Sequence, residues 1–248
     1  MTIENDEDLR KLRAIGRIVY ETMLLMKDHL EVGIKTLELD AIGRANLDKY
    51  GARSAPEVTY DFPGCTCISI NDEAAHGIPS DRRIEAGDVV NIDVSAELDG
   101  YFGDTGGTFP VPPVDPRIDY LCQSTRKALR QAMNVARAGA RINQIGLAIE
   151  KVAQQSGFVT IKDLGSHGIG RSLHDEPHFI PNFHDKTDDR RLADGQVITI
   201  EPFLSTGAQQ TTTADDGWTL CTGAGNFSAQ YEFTMVITKG KPLVMTAL

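Results

Sequence analysis

Asp93, Asp104, His167, Glu201 and Glu232 are the residues of this chain best suited to chemistry. Each sits in or beside a strand-like run or a glycine-rich turn, and together they span more than half of the sequence. Asp93 lies in Val-Val-Asn-Ile-Asp-Val and Asp104 in Tyr-Phe-Gly-Asp-Thr, on either side of Asp99-Gly100. An Asp-Gly pair between two apolar runs signals a two-residue hairpin turn. That register sets Leu98 opposite Tyr101, Asp93 opposite Gly106 and Asp104 opposite Ser95. The two aspartates then share one sheet face as diagonal neighbours. Carboxylates that close repel, and one holds its proton unless a cation lies between them.

Glu201 ends Val-Ile-Thr-Ile-Glu-Pro, where Pro202 stops the ladder. Glu232 sits inside Gln-Tyr-Glu-Phe-Thr-Met-Val-Ile, and an acid in so apolar a run is costly unless paired or coordinated. His167 stands in Ser-His-Gly-Ile-Gly, where glycines free the backbone to place an imidazole. Singly, each has an ordinary explanation as a turn, edge or core residue. Jointly, four carboxylates and one imidazole suit manganese, iron, cobalt or zinc. Two such ions roughly 3.5–4 Å apart activate a water and polarise a carbonyl. The set therefore points to a metal-dependent hydrolase.

Positioning these residues falls to a short list of elements. Apolar side chains at Leu9, Leu12, Ile15, Val19, Met23, Met26 and Leu30 predict an amphipathic helix over 7–30, ended by Gly33. Thr36 is read as the cap of a second helix reaching Tyr50, with Gly51 as its stop. Strands are expected near 57–60, 66–70, 88–97 and 101–108. A long helix from Pro116 to Ala138 ends at Gly139, and a shorter one over 143–155 stops at Gly157. Strands return near 158–161, 196–201, 216–221 and 229–238.

The order repeats. Gly139 and Gly157 each fall 106 positions after Gly33 and Gly51, Arg141 answers Lys35, Ile145 answers Leu39, and a His-Gly-Ile turn occurs at both His76 and His167. We read an α+β chain with two pseudo-symmetric helix pairs on one curved, mainly antiparallel sheet. It forms a single catalytic domain over 1–248, with halves at about 7–110 and 114–240 and the site where they meet.

The 248 residues suffice for a large core without staples. The net charge of −10 argues against a nucleic-acid footprint. Cys65, Cys67, Cys122 and Cys221 lack zinc-finger spacing and are read as reduced. The start, Met-Thr-Ile-Glu-Asn-Asp-Glu-Asp, has neither the basic nor the apolar stretch of a signal peptide, and no run reaches membrane-spanning length. A cytoplasmic location is expected, with no membrane and no nucleic-acid partner.

Eight short motifs carry a resemblance. They are Cys-Ile-Ser-Ile-Asn at 67–71, His-Gly-Ile-Pro at 76–79, Asn-Ile-Asp-Val at 91–94, Gly-Asp-Thr at 103–105, His-Gly-Ile-Gly-Arg at 167–171, His-Asp-Glu-Pro at 174–177, Thr-Ile-Glu-Pro at 199–202 and Ser-Ala-Gln-Tyr-Glu at 228–232. In order and spacing the chain resembles the type I, bacterial methionine aminopeptidases from about residue 7 to its end. The resemblance implies the pita-bread fold and removal of the initiator methionine from new chains whose second residue is small. It implies that Asp93 chelates one metal, that Asp104 and Glu232 bridge both, and that His167 and Glu201 hold the other. It further implies a methionine pocket of Phe62, Cys67 and Trp218, and a monovalent cation, sodium or potassium, held by backbone oxygens of Asn71, Glu73 and Ser228. Nascent-chain N-termini are the implied partners of a monomer, with transient ribosome association allowed.

Chemistry assigns the remaining roles. Glu201 is the best general base. His174, not needed as a ligand, is expected to hydrogen-bond the substrate carbonyl and developing oxyanion. His76 is expected beside the scissile nitrogen. Ala75, Ser166, Leu173 and Phe233 depart from the common pattern without removing a ligand; they bear on pocket shape and substrate range. Two rivals share the fold: a proline-specific aminopeptidase or prolidase, whose members usually carry an additional N-terminal domain, and a metal-free binding module. The catalytic fold here is expected to begin near residue 1, and all five ligands are intact.

Overall fold

The computed structural model describes residues 1–247. Helix α1 spans Asp6–Asp28, and the Asn5 side chain caps it by accepting from the Asp8 amide. Asp6, Glu7 and Asp8 crowd its first turn, where the helix dipole favours negative charge. Leu12, Ile15, Val19, Met23 and Met26 form its buried stripe. Helix α2 spans Thr36–Lys49, the short helix α3 Ala55–Tyr60, α4 Pro116–Val135 and α5 Asn143–Gln155. One apolar core lies under α1 and α2 and a second under α4 and α5. Among the described residues all strand pairings are antiparallel.

Several boundaries differ from the sequence reading. Thr36 does not cap α2; Lys35 occupies that position. The Thr36 hydroxyl instead exchanges hydrogen bonds with the backbone of Ser80. Gly33 and Gly139 do not end their helices, which stop at Asp28 and Val135. Each glycine lies in the following turn at positive φ, 95° and 84°. Its amide donates to a distant carbonyl, Ile84 for Gly33 and Leu192 for Gly139, and its own carbonyl accepts from Arg83 or Arg191.

Residues 57–60 form the last part of α3 rather than a strand. Ser54 caps that helix through the Glu57 amide and Pro56 occupies its first turn, a favoured N-terminal arrangement. Between 216 and 221 only Leu220–Cys221 pairs as a strand. The run 229–238 is broken into Ser228–Gln230 and Phe233–Val236, which pair with Phe203–Ser205 and Val197–Ile200. The break falls at Glu232, whose amide donates to Gly106 and whose carbonyl accepts from Thr105. Across the same seam Thr234 exchanges hydrogen bonds with the backbone of Asp104. Two sheets thus join at Asp104 and Glu232.

Asp40 ties α2 to the strand that carries Cys67. Its buried carboxylate accepts from the amides of Cys65 and Thr66 and from the Thr66 hydroxyl, at 3.2, 2.8 and 2.7 Å. Asp40→Ala strands two buried amides and is expected to cost about 2–4 kcal/mol of stability, read as a lower urea midpoint.

Candidate active site

The hairpin register is the expected one. Asp93 faces Gly106, Ser95 faces Asp104 and Leu98 faces Tyr101. Asp99 and Gly100 both have positive φ, 54° and 79°, as a two-residue turn of the primed type requires. The segment Gly165–Gly168 brings in His167, and Glu201 follows the strand Val197–Ile200. Asp104, His167 and Glu232 each offer one ligand atom, all within 4.8 Å of one another. His167 Nε2 lies 3.8 Å from Asp104 Oδ2 and 3.5 Å from Glu201 Oε1.

Supporting groups fix these side chains. His167 Nδ1 lies 2.9 Å from the Gly168 carbonyl, so it carries the ring proton and leaves the Nε2 lone pair facing the carboxylates. Gln230 donates to Glu232 Oε2 at 3.0 Å and Thr199 to Glu201 Oε1 at 3.4 Å. Yet Asp93 Oδ1, Asp104 Oδ1 and Glu232 Oε1 are buried with no hydrogen-bond partner. Buried polar atoms are nearly always paired. Of these three, Asp104 and Glu232 cluster with His167, and unpaired carboxylate oxygens beside an imidazole lone pair are what a divalent cation satisfies, so the donor set fits a metal.

The electrostatics agree. Burial pushes the Asp93 carboxyl up to about 6. Burial, then the charges of Glu232 and Asp93, holds Asp104 well above the usual carboxylate range. Glu201 is raised likewise by burial and by Asp104, and Glu232 by burial and by Glu201. Burial lowers His167 to about 3 and His174 to about 4, and lowers His76. At neutral pH all three imidazoles are therefore uncharged, and the acids lack a counter-charge of their own.

Asp93, Asp104, His167 and Glu201 open onto a cavity of about 100 Å³ that Phe62, Cys67, His76, His174 and Trp218 also line. Phe62 and Trp218 meet edge to face at 5.3 Å, and Cys67 lies opposite Asp93 across two strands. The cavity thus has an apolar wall and an acidic floor. His76 reaches it from a left-handed backbone, φ 56°. The His174 and His167 rings stand 4.3 Å apart. The ammonium of Met1 pins the next residue, Asp175, at 2.7 Å. Asn71, Glu73 and Ser228 lie away from this cavity, where the strand Glu73–Ala75 packs on Ser228–Gln230.

Pro56, Tyr60 and Ser95 also line the cavity and were not among the residues expected there; Tyr60 matters most. The Tyr60 hydroxyl lies 2.5 Å from His174 Nδ1. Reading 57–60 as a strand hid it. The signal was the Ser-x-x-Glu pattern of Ser54 and Glu57 enclosing Pro56, which marks a helix start.

Residues 10–239 match metallopeptidase family M24. This chain belongs to that family. Among M24 metallopeptidases it is 49% identical to methionine aminopeptidase 2 of Bacillus subtilis, with 100% of each chain covered. The crystal structure of methionine aminopeptidase from Rickettsia prowazekii superposes with a TM-score of 0.94 at 35% identity, again covering 100% of both chains. The fold is the pita-bread fold. A prolidase from Pyrococcus furiosus shares that fold at TM-score 0.80 and 22% identity, but this chain covers only 66% of it. The M24 chain has no helix, among its described residues, long and apolar enough to cross a membrane.

Proposed function

We infer that this M24 metallopeptidase is a methionine aminopeptidase, a divalent-metal hydrolase that removes the initiator methionine from new chains whose second residue is small. The observation that carries this reading is the end-to-end match to a methionine aminopeptidase at 49% identity. Prolidase-like activity is not favoured, because the prolidase likeness, at 22% identity, is one of fold alone, against 49% identity to a methionine aminopeptidase.

In the proposed arrangement two divalent ions would be held by Asp93, Asp104, His167, Glu201 and Glu232, where the unpaired carboxylate oxygens would receive them. Cobalt, manganese, iron and zinc all suit this donor set. When bound, such ions polarise the scissile carbonyl and lower the pKa of water. Glu201 takes the proton from the attacking water and returns it to the departing amine. His174 donates to the carbonyl oxygen as negative charge develops there. His76 holds the substrate backbone near the scissile nitrogen. The free α-amine lies beside Asp93, which restricts cleavage to the first residue. Phe62, Cys67 and Trp218 enclose the thioether, a soft group well matched to aromatic rings and a thiol.

A sodium or potassium ion held by backbone oxygens of Asn71, Glu73 and Ser228 is part of the same reading. So are a single domain with pseudo-twofold halves, a cytoplasmic monomer and transient contact with the ribosome. The matching backbone anchors of Gly33 and Gly139 support the duplication.

Manganese-loaded enzyme should cut Met-Ala-Ser at least tenfold faster than Ala-Pro, and exhaustive chelation should abolish both activities. Faster cleavage of Ala-Pro, followed by mass spectrometry of the products, would assign the chain to proline chemistry instead.

A further inference from the structure

His174 can assist the carbonyl only if the nitrogen facing the substrate carries the proton. A neutral imidazole has one N–H donor and one acceptor, and the partner of one nitrogen decides the state of the other. His174 Nδ1 is engaged by the Tyr60 hydroxyl at 2.5 Å, with the two rings 5.6 Å apart and tilted by 47°. That leaves Nε2, on the far side of the ring, for the ligand. A phenol can donate or accept. If it accepted from Nδ1, Nε2 would present a lone pair to the carbonyl oxygen, and two acceptors would face each other.

We propose that Tyr60 is a positioning residue: its hydroxyl donates to His174 Nδ1 and fixes the tautomer in which Nε2–H points at the substrate carbonyl. This rests on the methionine aminopeptidase reading of the same site. The local structure is built to hold Tyr60 still. It is the last residue of α3, after which Asp61 turns into the left-handed region at φ 56°. The helix is pinned at its start by Ser54 and through Glu57 by Arg44, one of whose bonds measures 3.1 Å. On the other side, Ser172 donates to the His174 carbonyl at 3.0 Å, and Asp175 is held by Met1. Both partners of the Tyr60–His174 bond are therefore anchored by their backbones.

Tyr60 is 44% exposed and Phe keeps its ring, so Tyr60→Phe removes the hydroxyl without burying a void. On Met-Ala-Ser, Tyr60→Phe should lower kcat by about 10–100-fold with KM within about twofold, because the donor matters most in the transition state. His174→Ala should lower kcat by about 10²–10³-fold, and adding Tyr60→Phe to it should cost nothing further. In ¹⁵N spectra of zinc-loaded enzyme, His174 should be the Nε2–H tautomer in wild type and a mixture in Tyr60→Phe. The proposal is overturned by an Nδ1–H tautomer in wild type, by full turnover in Tyr60→Phe, or by an equal loss in the His174→Ala background. Failure of the wild-type protein to cut methionine peptides would sink the functional reading alone, since the tautomer is observed without substrate.

Discussion

Glu201→Gln is expected to lower kcat for Met-Ala-Ser by about 10²–10⁴-fold, the span that general acid–base catalysis supplies. Glutamine keeps the length and one carbonyl oxygen of Glu201 but cannot take up a proton. The site isolates that loss well. The Glu201 amide is fixed by Ser166 at 2.9 Å, and its Oε1 sits 3.5 Å from His167 Nε2 with Thr199 beside it. The substitution therefore leaves the backbone and the neighbouring imidazole in place. Its charge is a separate matter, because Glu201 is also proposed as a ligand. Elemental analysis of the variant after purification in manganese separates the two roles. Turnover lost with metal retained assigns the proton transfer to Glu201; turnover and metal lost together make it mainly a ligand. Turnover kept with metal retained would remove the general base from the mechanism.

The legible part of this site was local. The register of Asp93 and Asp104 follows from a single Asp-Gly turn, because hairpin geometry fixes every later pair. The stripes of α1 and α4 follow from their spacing, since each element buries one face. What the sequence concealed depends on distant partners. The strand around Glu232 reads as continuous, but Gly106 and Thr105 of the other half recruit its backbone and split the ladder. Thr36 has the right chemistry for a cap, yet Ser80 claims its hydroxyl. Tyr60 was misplaced for a third reason: a short Val-Thr-Tyr run favours a strand by propensity, while the Ser54 cap and Pro56 before it start a helix.

The metal-free protein is expected to lose stability as pH rises through the raised range of its buried acids, and bound metal should reverse that slope. Asp93 titrates near 6 in the fold; an unfolded aspartate does so near roughly 3.9. Between those values the folded state binds more protons, so stability falls as pH rises. Asp104, Glu201 and Glu232 shift in the same direction, further above their ordinary range. His167 and His174, lowered to about 3 and about 4, act oppositely, because the unfolded chain holds their protons longer. Below the ordinary histidine range, roughly 6.5, the two sets compete. Above it the histidines are neutral in both states, and the buried acids alone set the site's contribution. An acid costs up to about 1.4 kcal/mol per pH unit while pH rises between its ordinary and its raised range. Metal at the proposed ligands would need those same oxygens ionised, so its affinity should grow as pH rises. At a free concentration one hundred times its dissociation constant it adds about 2.7 kcal/mol, a rise in Tm on the order of 5–10 °C for a chain of this size. Thermal unfolding at pH 6.5, 7.25 and 8, with chelator or with manganese, should show the gap between the curves widening with pH. A gap that narrows would mean that the metal does not displace protons from these four carboxylates.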